Sequence, residues 1–121
     1  MNFNDKLNDM VEALKEQPEY KEYMSLKSKI KLDSKIYDLL KEFKEKEKLL
    51  HMDYINGNDV DKNKKSEMEN LYSIIIQNED ARNLLQNEMK INYMLADVNK
   101  KIKSKNKLDK LKSDLLYFVV E

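Results

Sequence analysis

The residues that could do chemistry in this 121-residue chain are few and widely separated. His51 is the single histidine, and the chain has no cysteine. A di-iron helical bundle needs two Glu-x-x-His motifs on facing helices, and zinc-finger or iron–sulfur sites need thiolates. A single glycine cannot build a phosphate-binding loop, and no Ser/His/Asp set is present. We therefore predict no catalytic residue, no metal site and no cofactor, with His51 an ordinary helix residue.

An acidic stretch, Asp59-Val60-Asp61-Lys62-Asn63, carries oxygen-bearing side chains at alternate positions, as at the start of a calcium-binding loop. Lys64 then occupies the position where the sharp turn of such a loop needs Gly. Asn70 occupies the position where a bidentate Glu is needed. The pattern favours helix capping and solvated carboxylates over calcium binding.

Lysines are concentrated between Asn99 and Lys112, where seven of them accompany one acid, Asp109. At helical spacing they surround the segment instead of forming one stripe, which favours a solvated helix end. Weak, non-specific RNA binding is the alternative, and its candidate contacts are Lys100, Lys101, Lys103, Lys105 and Lys107. Arg82 is the only arginine, so bidentate recognition of phosphate or guanine is nearly absent and we expect no specific DNA binding.

The composition favours helices as the elements that position these residues. One Gly and one Pro leave little material for tight turns, and 40% hydrophobic residues are enough for one modest core. Lys plus Arg equals Asp plus Glu at 23 each, so no net field draws the chain to nucleic acid or an anionic membrane. Apolar runs fall short of the ~20 residues of a membrane span, and we expect no membrane partner and a cytoplasmic location.

Hydrophobic side chains recur at about 100° per residue along most of the chain, which predicts an all-α bundle of five to six helices. Pro18 fits the first turn of a second helix, and Asp33 and Asn78 can cap the third and fifth. Gly57 tolerates a left-handed backbone and is expected to end the third helix. The expected apolar faces are Phe3, Leu7, Met10, Val11 and Leu14; then Tyr20, Tyr23, Met24 and Ile30; then Ile36, Leu39, Leu40, Phe43, Leu50 and Tyr54; then Val60, Met68, Leu71, Tyr72 and Ile75; then Leu84, Ile91, Leu95, Val98 and Ile102.

Beyond the fifth helix the apolar positions rotate by roughly 140° at the same spacing, which predicts a kink near Ser104 to Lys107. These later positions are Leu108, Leu111, Leu115 and Phe118. We expect a single domain over residues 1–121, with a terminal helix at about 107–120 that can stand apart from the main bundle.

The third helix carries a second apolar stripe, because Leu49, Met52 and Ile55 project from the side opposite its core residues. A helix that is apolar on two sides is either sandwiched inside its own bundle or shared with another chain. A short chain has few internal layers, so the pattern favours an interface with a second copy or another partner. We predict a homodimer through this stripe.

Several segments together resemble the YlbF/YmcA/YheA family of small helical regulators from low-GC Gram-positive bacteria. They are Glu19-Tyr20-Lys21-Glu22-Tyr23, Leu32-Asp33, Leu39-Leu40-Lys41-Glu42-Phe43, the Asn56-Gly57-Asn58-Asp59 turn and the late Ile91 to Ile102 helix. The resemblance covers most of the chain. The length of the chain, its early first helix and its final Leu108 to Phe118 segment are most similar to those of the YheA branch.

The resemblance implies a helical, commonly dimeric protein without enzymatic activity. Within that family, YlbF and YmcA join YaaT in a complex that acts with the endoribonuclease RNase Y. The implied partners are therefore a second copy, YlbF-like relatives and RNase Y. The chain lacks the cysteines of the complex-forming members, which are linked to iron–sulfur clusters. Residues and resemblance together favour a non-enzymatic interaction or regulatory protein that modulates RNA processing through such partners.

Overall fold

The computed structural model describes residues 2–103 and Leu115. Residues 3–103 contain five helices, and no strand occurs in the described part. The helices are α1 (Phe3–Lys15), α2 (Pro18–Ile30), α3 (Ser34–Ile55), α4 (Lys62–Ile75) and α5 (Glu79–Lys103). The predicted all-α bundle is confirmed. The predicted kink and terminal helix, together with Lys105 and Lys107, lie outside the described residues.

Side-chain caps and one glycine set the helix boundaries, as the sequence predicted. The Asp33 carboxylate accepts a hydrogen bond from the Ile36 N–H at 3.4 Å and starts α3. Gly57 follows the end of α3 with φ of +73°, a left-handed conformation that few side-chain-bearing residues adopt cheaply. The Asn78 side-chain oxygen accepts from the Ala81 N–H at 2.9 Å and starts α5.

The acidic stretch before α4 also works as a cap. The Asp61 carboxylate accepts a hydrogen bond from the Asn63 N–H at 2.8 Å, at the start of α4. Helix capping, the favoured interpretation of this carboxylate, is therefore confirmed. At the other end of the chain, Asn2 and Asp5 form a reciprocal capping box that begins α1.

The chain divides into two compact units, Met1–Glu88 and Met89–Glu121. In the first unit, α3 packs most extensively against α4, α2 packs against α3, and α1 packs against α2. The buried core of this unit comes from α2, α3, α4 and the first two turns of α5. Its apolar members are Ile30, Ile36, Leu40, Phe43, Ile75, Ala81 and Leu84.

The inner side of α3 is the centre of this core. Ile36, Leu40 and Phe43 are buried, and the Phe43 ring lies 5.8 Å from the Tyr72 ring of α4, centroid to centroid. Tyr54 belongs to the same predicted stripe but is 76% exposed, so its assignment to the core was wrong. It occupies the last turn of α3, next to the exposed Asn56-Gly57-Asn58 turn, where less of the bundle is available to cover it.

Two other predicted faces each include one residue that is exposed in the structure. On α2 the half-buried residues packed against the core are Tyr23 and Leu26, whereas Met24 is exposed. On α5 the predicted seam member Leu95 is exposed. The less exposed positions of α5 follow a 3-4-3-4 spacing instead, through Leu84, Asn87, Ile91, Met94 and Val98.

Candidate interaction surfaces

The outer side of α3 presents the apolar stripe that the sequence singled out. Leu49 is 52% exposed, Met52 is 47% exposed and Ile55 is 66% exposed. These three residues, the α3 outer stripe, lie on the side of the helix away from Ile36, Leu40 and Phe43. Burial inside its own bundle, the alternative left open by the sequence, is not seen in the part of the chain that the structure describes.

A second apolar surface lies on α1. None of its residues is buried, and Phe3, Leu7, Met10 and Val11 are all exposed on one side of the helix. We name these four residues the α1 face. The spacing of the sequence predicted an amphipathic helix here but not that its apolar side would remain uncovered. The composition could have indicated this exposure, because a strongly polar chain leaves few apolar residues on the other helices to cover a further face.

A polar cluster joins three helices of the first unit near the core. Lys44 on α3 forms an ion pair with Glu88 on α5, and it also lies 3.4 Å from Glu47. Burial alone would lower the pKa of Lys44, but its hydrogen bond to Glu88 and the attraction of Glu88 and Glu47 raise it overall. Burial, with the nearby Glu88 charge, also raises the pKa of the half-buried Tyr23 on α2. No pattern along the chain indicated this cluster, since its members come from three separate helices.

The other titratable side chains of the described residues form no reactive set. His51 is exposed on α3, and no group of three potential metal ligands occurs among the described residues. A groove of about 290 Å³ lies between the start of α3 and the end of α4, but two of its polar residues, Asp33 and Asn78, are engaged as helix caps. Over residues 2–103 the arrangement offers binding surfaces, and no nucleophile has a base beside it.

The predicted lysine contacts fall near or beyond the end of the described chain. Lys100 and Lys101 are exposed on α5, and Lys101 forms an ion pair with Asp97 at 3.0 Å. Lys103 ends α5.

None of the described helices is both long enough and apolar enough to cross a bilayer.

Comparison of the sequence with known proteins shows its family. The family model described as "Control of competence regulator ComK, YlbF/YmcA" matches residues 4–105. A UPF0342 protein of Caldicellulosiruptor saccharolyticus is 33% identical over 92 residues, which cover 76% of this chain and 77% of that protein. A UPF0342 protein of Symbiobacterium thermophilum is 30% identical over 96 residues, which cover 79% of this chain and 86% of that protein. No solved structure matches the chain significantly. Because the family model spans most of its length, the chain belongs to the YlbF/YmcA family.

Proposed function

We propose that this protein is a non-enzymatic regulator that acts by binding other proteins through apolar helix surfaces. The observation that carries the proposal is the exposure of the α3 outer stripe, Leu49, Met52 and Ile55, on a helix whose other side already fills the core. Exposed apolar side chains that line up along one helix side, within a polar surface, are typical of sites that bind another helix.

The regulatory part of the proposal is supported by the family, whose description is the control of a competence regulator. The non-enzymatic part is supported by the side chains. In the described part, the ionisable groups with shifted pKa values are Lys44 and Tyr23, and both belong to a cluster that joins helices of the bundle. A regulator of this kind changes what a partner does and leaves the chemistry to that partner.

The partners proposed are a second copy of this chain, a YlbF-like relative and an RNase Y-type endoribonuclease. The α3 outer stripe is the proposed site for the first of these. The RNase Y-type partner follows from the family resemblance, in which related proteins act with that enzyme on RNA. Direct RNA binding through the lysines near the C-terminus is the competing hypothesis.

Affinity capture from the native host tests the proposal. The bait is the full chain, compared with the Leu49→Glu plus Met52→Glu variant, which places two charges on the stripe. We expect the unchanged chain to recover a YlbF-like relative or an RNase Y-type endoribonuclease, and the variant to lose it, because burying unpaired carboxylates at an interface is costly.

The matched control is Ser66→Glu plus Asn70→Glu, which adds the same two charges to exposed positions of α4. This control should recover the same proteins as the unchanged chain. Equal recovery by all three baits would exclude the α3 outer stripe as the site. Tight binding of purified protein to RNA that persists at 200 mM salt would favour the competing hypothesis, since non-specific phosphate contacts weaken steeply by then.

A further inference from the structure

The sulfur chemistry of this chain is confined to methionine, since it has seven methionines and no cysteine. A cysteine thiolate reacts with a peroxide faster than a thioether does, and none is present to compete. Among the methionines that the structure describes, Met10, Met24, Met52 and Met89 are exposed, whereas Met68 is half-buried and packs against the core. Oxidants in water therefore reach thioether sulfurs on the helix surfaces first.

Met52 occupies the centre of the α3 outer stripe. Leu49 precedes it by three residues and Ile55 follows it by three, so the two lie on either side of it along the helix. The Met52 side chain is 47% exposed, and it is the one member of the stripe that carries sulfur. A partner helix that covers the whole stripe has to contact this thioether.

We propose that Met52 is an oxidation site and that its sulfoxide form closes the α3 outer stripe to partners. The inference rests on the proposed function, because it regulates the same surface. Hydrogen peroxide transfers one oxygen atom to Met52 Sδ: the O–O bond breaks, an S–O bond forms, the sulfur loses two electrons and water leaves. A methionine sulfoxide reductase reverses the step, because two thiols supply two electrons and two protons, the oxygen leaves as water and a disulfide forms.

The added oxygen makes the centre of the stripe polar. A thioether is flexible and polarisable and fits irregular apolar surfaces, whereas a sulfoxide carries a strong hydrogen-bond acceptor. On the free chain this acceptor faces water, because Met52 is half exposed. Under a partner helix it would be buried beside Leu49 and Ile55, whose side chains offer no donor. Partner binding should therefore weaken by about tenfold or more, as when a polar group is buried without a hydrogen bond.

Oxidation of Met52 should leave the fold in place. Its side chain is not part of the buried core, and its backbone carbonyl oxygen, which accepts the Asn56 N–H at 3.0 Å, is not altered by the reaction. Met68 differs, because a polar oxygen on a side chain packed against the core would disturb that packing. A mild oxidant should thus alter the binding surface before it damages the core.

Peptide mapping by mass spectrometry tests the chemical step on the full-length chain. With increasing hydrogen peroxide, Met52 should gain oxygen together with the other exposed methionines and well before Met68. Circular dichroism and thermal unfolding of the chain oxidised at Met52 should match those of the untreated chain. Oxidation of Met68 as fast as that of Met52, or unfolding that accompanies oxidation of Met52, would overturn the inference.

Affinity capture from the native host tests the effect on binding, with peroxide removed from the bait by catalase beforehand. The oxidised chain should recover about tenfold less of the YlbF-like relative or RNase Y-type endoribonuclease than the untreated chain. Oxidised Met52→Leu keeps an apolar side chain without sulfur and should recover as much as the untreated chain. The matched control is Met24→Leu, which removes an exposed methionine of α2 instead and, once oxidised, should lose the partner as the unchanged chain does.

Two further baits separate the sulfoxide from other oxidative damage. Met52→Gln places a polar side chain at the same position and should lose the partner without any peroxide. Treatment of the oxidised unchanged chain with a methionine sulfoxide reductase and dithiothreitol should restore recovery. Loss that the reductase does not reverse, or equal loss in oxidised Met52→Leu, would show that the Met52 sulfoxide is not the cause.

The outcomes also separate this inference from the proposed function. If Leu49→Glu plus Met52→Glu loses the partner while the oxidised unchanged chain keeps it, the α3 outer stripe stands as the binding site and only the regulation by Met52 is wrong. If Leu49→Glu plus Met52→Glu recovers the partner as well as the unchanged chain does, the proposed site fails and the inference fails with it.

Discussion

The two sides of α3 have similar residues and different surroundings. On the inner side, Ile36, Leu40 and Phe43 are buried against α4 and the start of α5. On the outer side, the α3 outer stripe is about half exposed, and none of the described helices buries it. Hydrophobicity alone does not distinguish a core from an interface. What distinguishes them is whether a second helix packs on that side, and among the five described helices one does so only on the inner side.

The largest effect on stability is expected at Phe43, on the inner side of α3. Replacing it by Ala removes a buried ring that contacts Tyr72 and leaves a cavity. Phe43→Ala should lower the free energy of unfolding by about 3–5 kcal/mol, as large-to-small core substitutions do. Urea unfolding followed by circular dichroism measures it. A loss below about 1 kcal/mol would mean that the inner side of α3 is not the core of the bundle.

A smaller loss is expected at the cap of α5, where the chain turns back to close the core. Asn78→Ala removes the acceptor for the Ala81 N–H, and Ala81 is fully buried. The free energy of unfolding should fall by about 1 kcal/mol, a typical value for an N-cap substitution. Asn70→Ala, at an exposed position inside α4, is the control and should change it far less. Equal effects of the two substitutions would show that the Asn78 side chain does not stabilise the start of α5 as a cap.

The polar cluster of Lys44, Glu88 and Tyr23 predicts how stability depends on alkaline pH. The pKa values of Lys44 and Tyr23 are both raised in the folded chain, from their usual 10.5 and 10.0. The folded state therefore holds protons that the unfolded state has lost, so stability should be level below about pH 9.5 and should fall as pH rises above 10.

Replacing Glu88 tests the physical cause of this dependence. Glu88→Gln removes the charge that raises the pKa of Lys44 and contributes to the raised pKa of Tyr23. The decrease in stability above pH 10 should then be shallower than in the unchanged chain, because burial by itself lowers the pKa of Lys44. Thermal unfolding measured from pH 8 to 11 compares the two. Identical slopes would show that Glu88 does not control these protons.

The smallest effect is expected on the outer side of α3. Leu49→Ala should change the free energy of unfolding of one chain by less than about 0.5 kcal/mol, since the side chain is half exposed. The measurement uses a Met52→Glu background, so that pairing between copies does not contribute. A loss comparable to that of Phe43→Ala would mean that Leu49 is covered inside its own chain and would end the contrast between the two sides.

Local signals in the sequence predicted the helix boundaries well. Asp33, Gly57 and Asn78 act where they were expected, because a cap or a left-handed turn depends on a few neighbouring residues. The α3 outer stripe was also found from spacing alone. Whether it binds a second copy stays a prediction.

Periodicity identifies the apolar side of a helix but not the element that packs against it. The side of each helix that faces the core was therefore harder to predict. Met24 was assigned to the core face of α2, where Leu26 packs instead. Leu95 is exposed although it lies near the apolar seam of α5, and the buried polar residue Asn87 was missed. Asn87 is tolerated there because its side-chain amide donates to the Asn83 carbonyl oxygen at 3.0 Å, a bond that hydrophobicity does not reveal.

The central claim, that the chain acts through its uncovered helix surfaces, is tested most directly by the mass of the protein in solution. Multi-angle light scattering at micromolar concentration compares the unchanged chain with Leu49→Glu plus Met52→Glu and with the control Ser66→Glu plus Asn70→Glu. We predict twice the mass of one chain for the unchanged protein and the control, and the mass of a single chain for the stripe variant. A monomeric unchanged chain, or a dimer that the stripe variant leaves intact, would contradict the account.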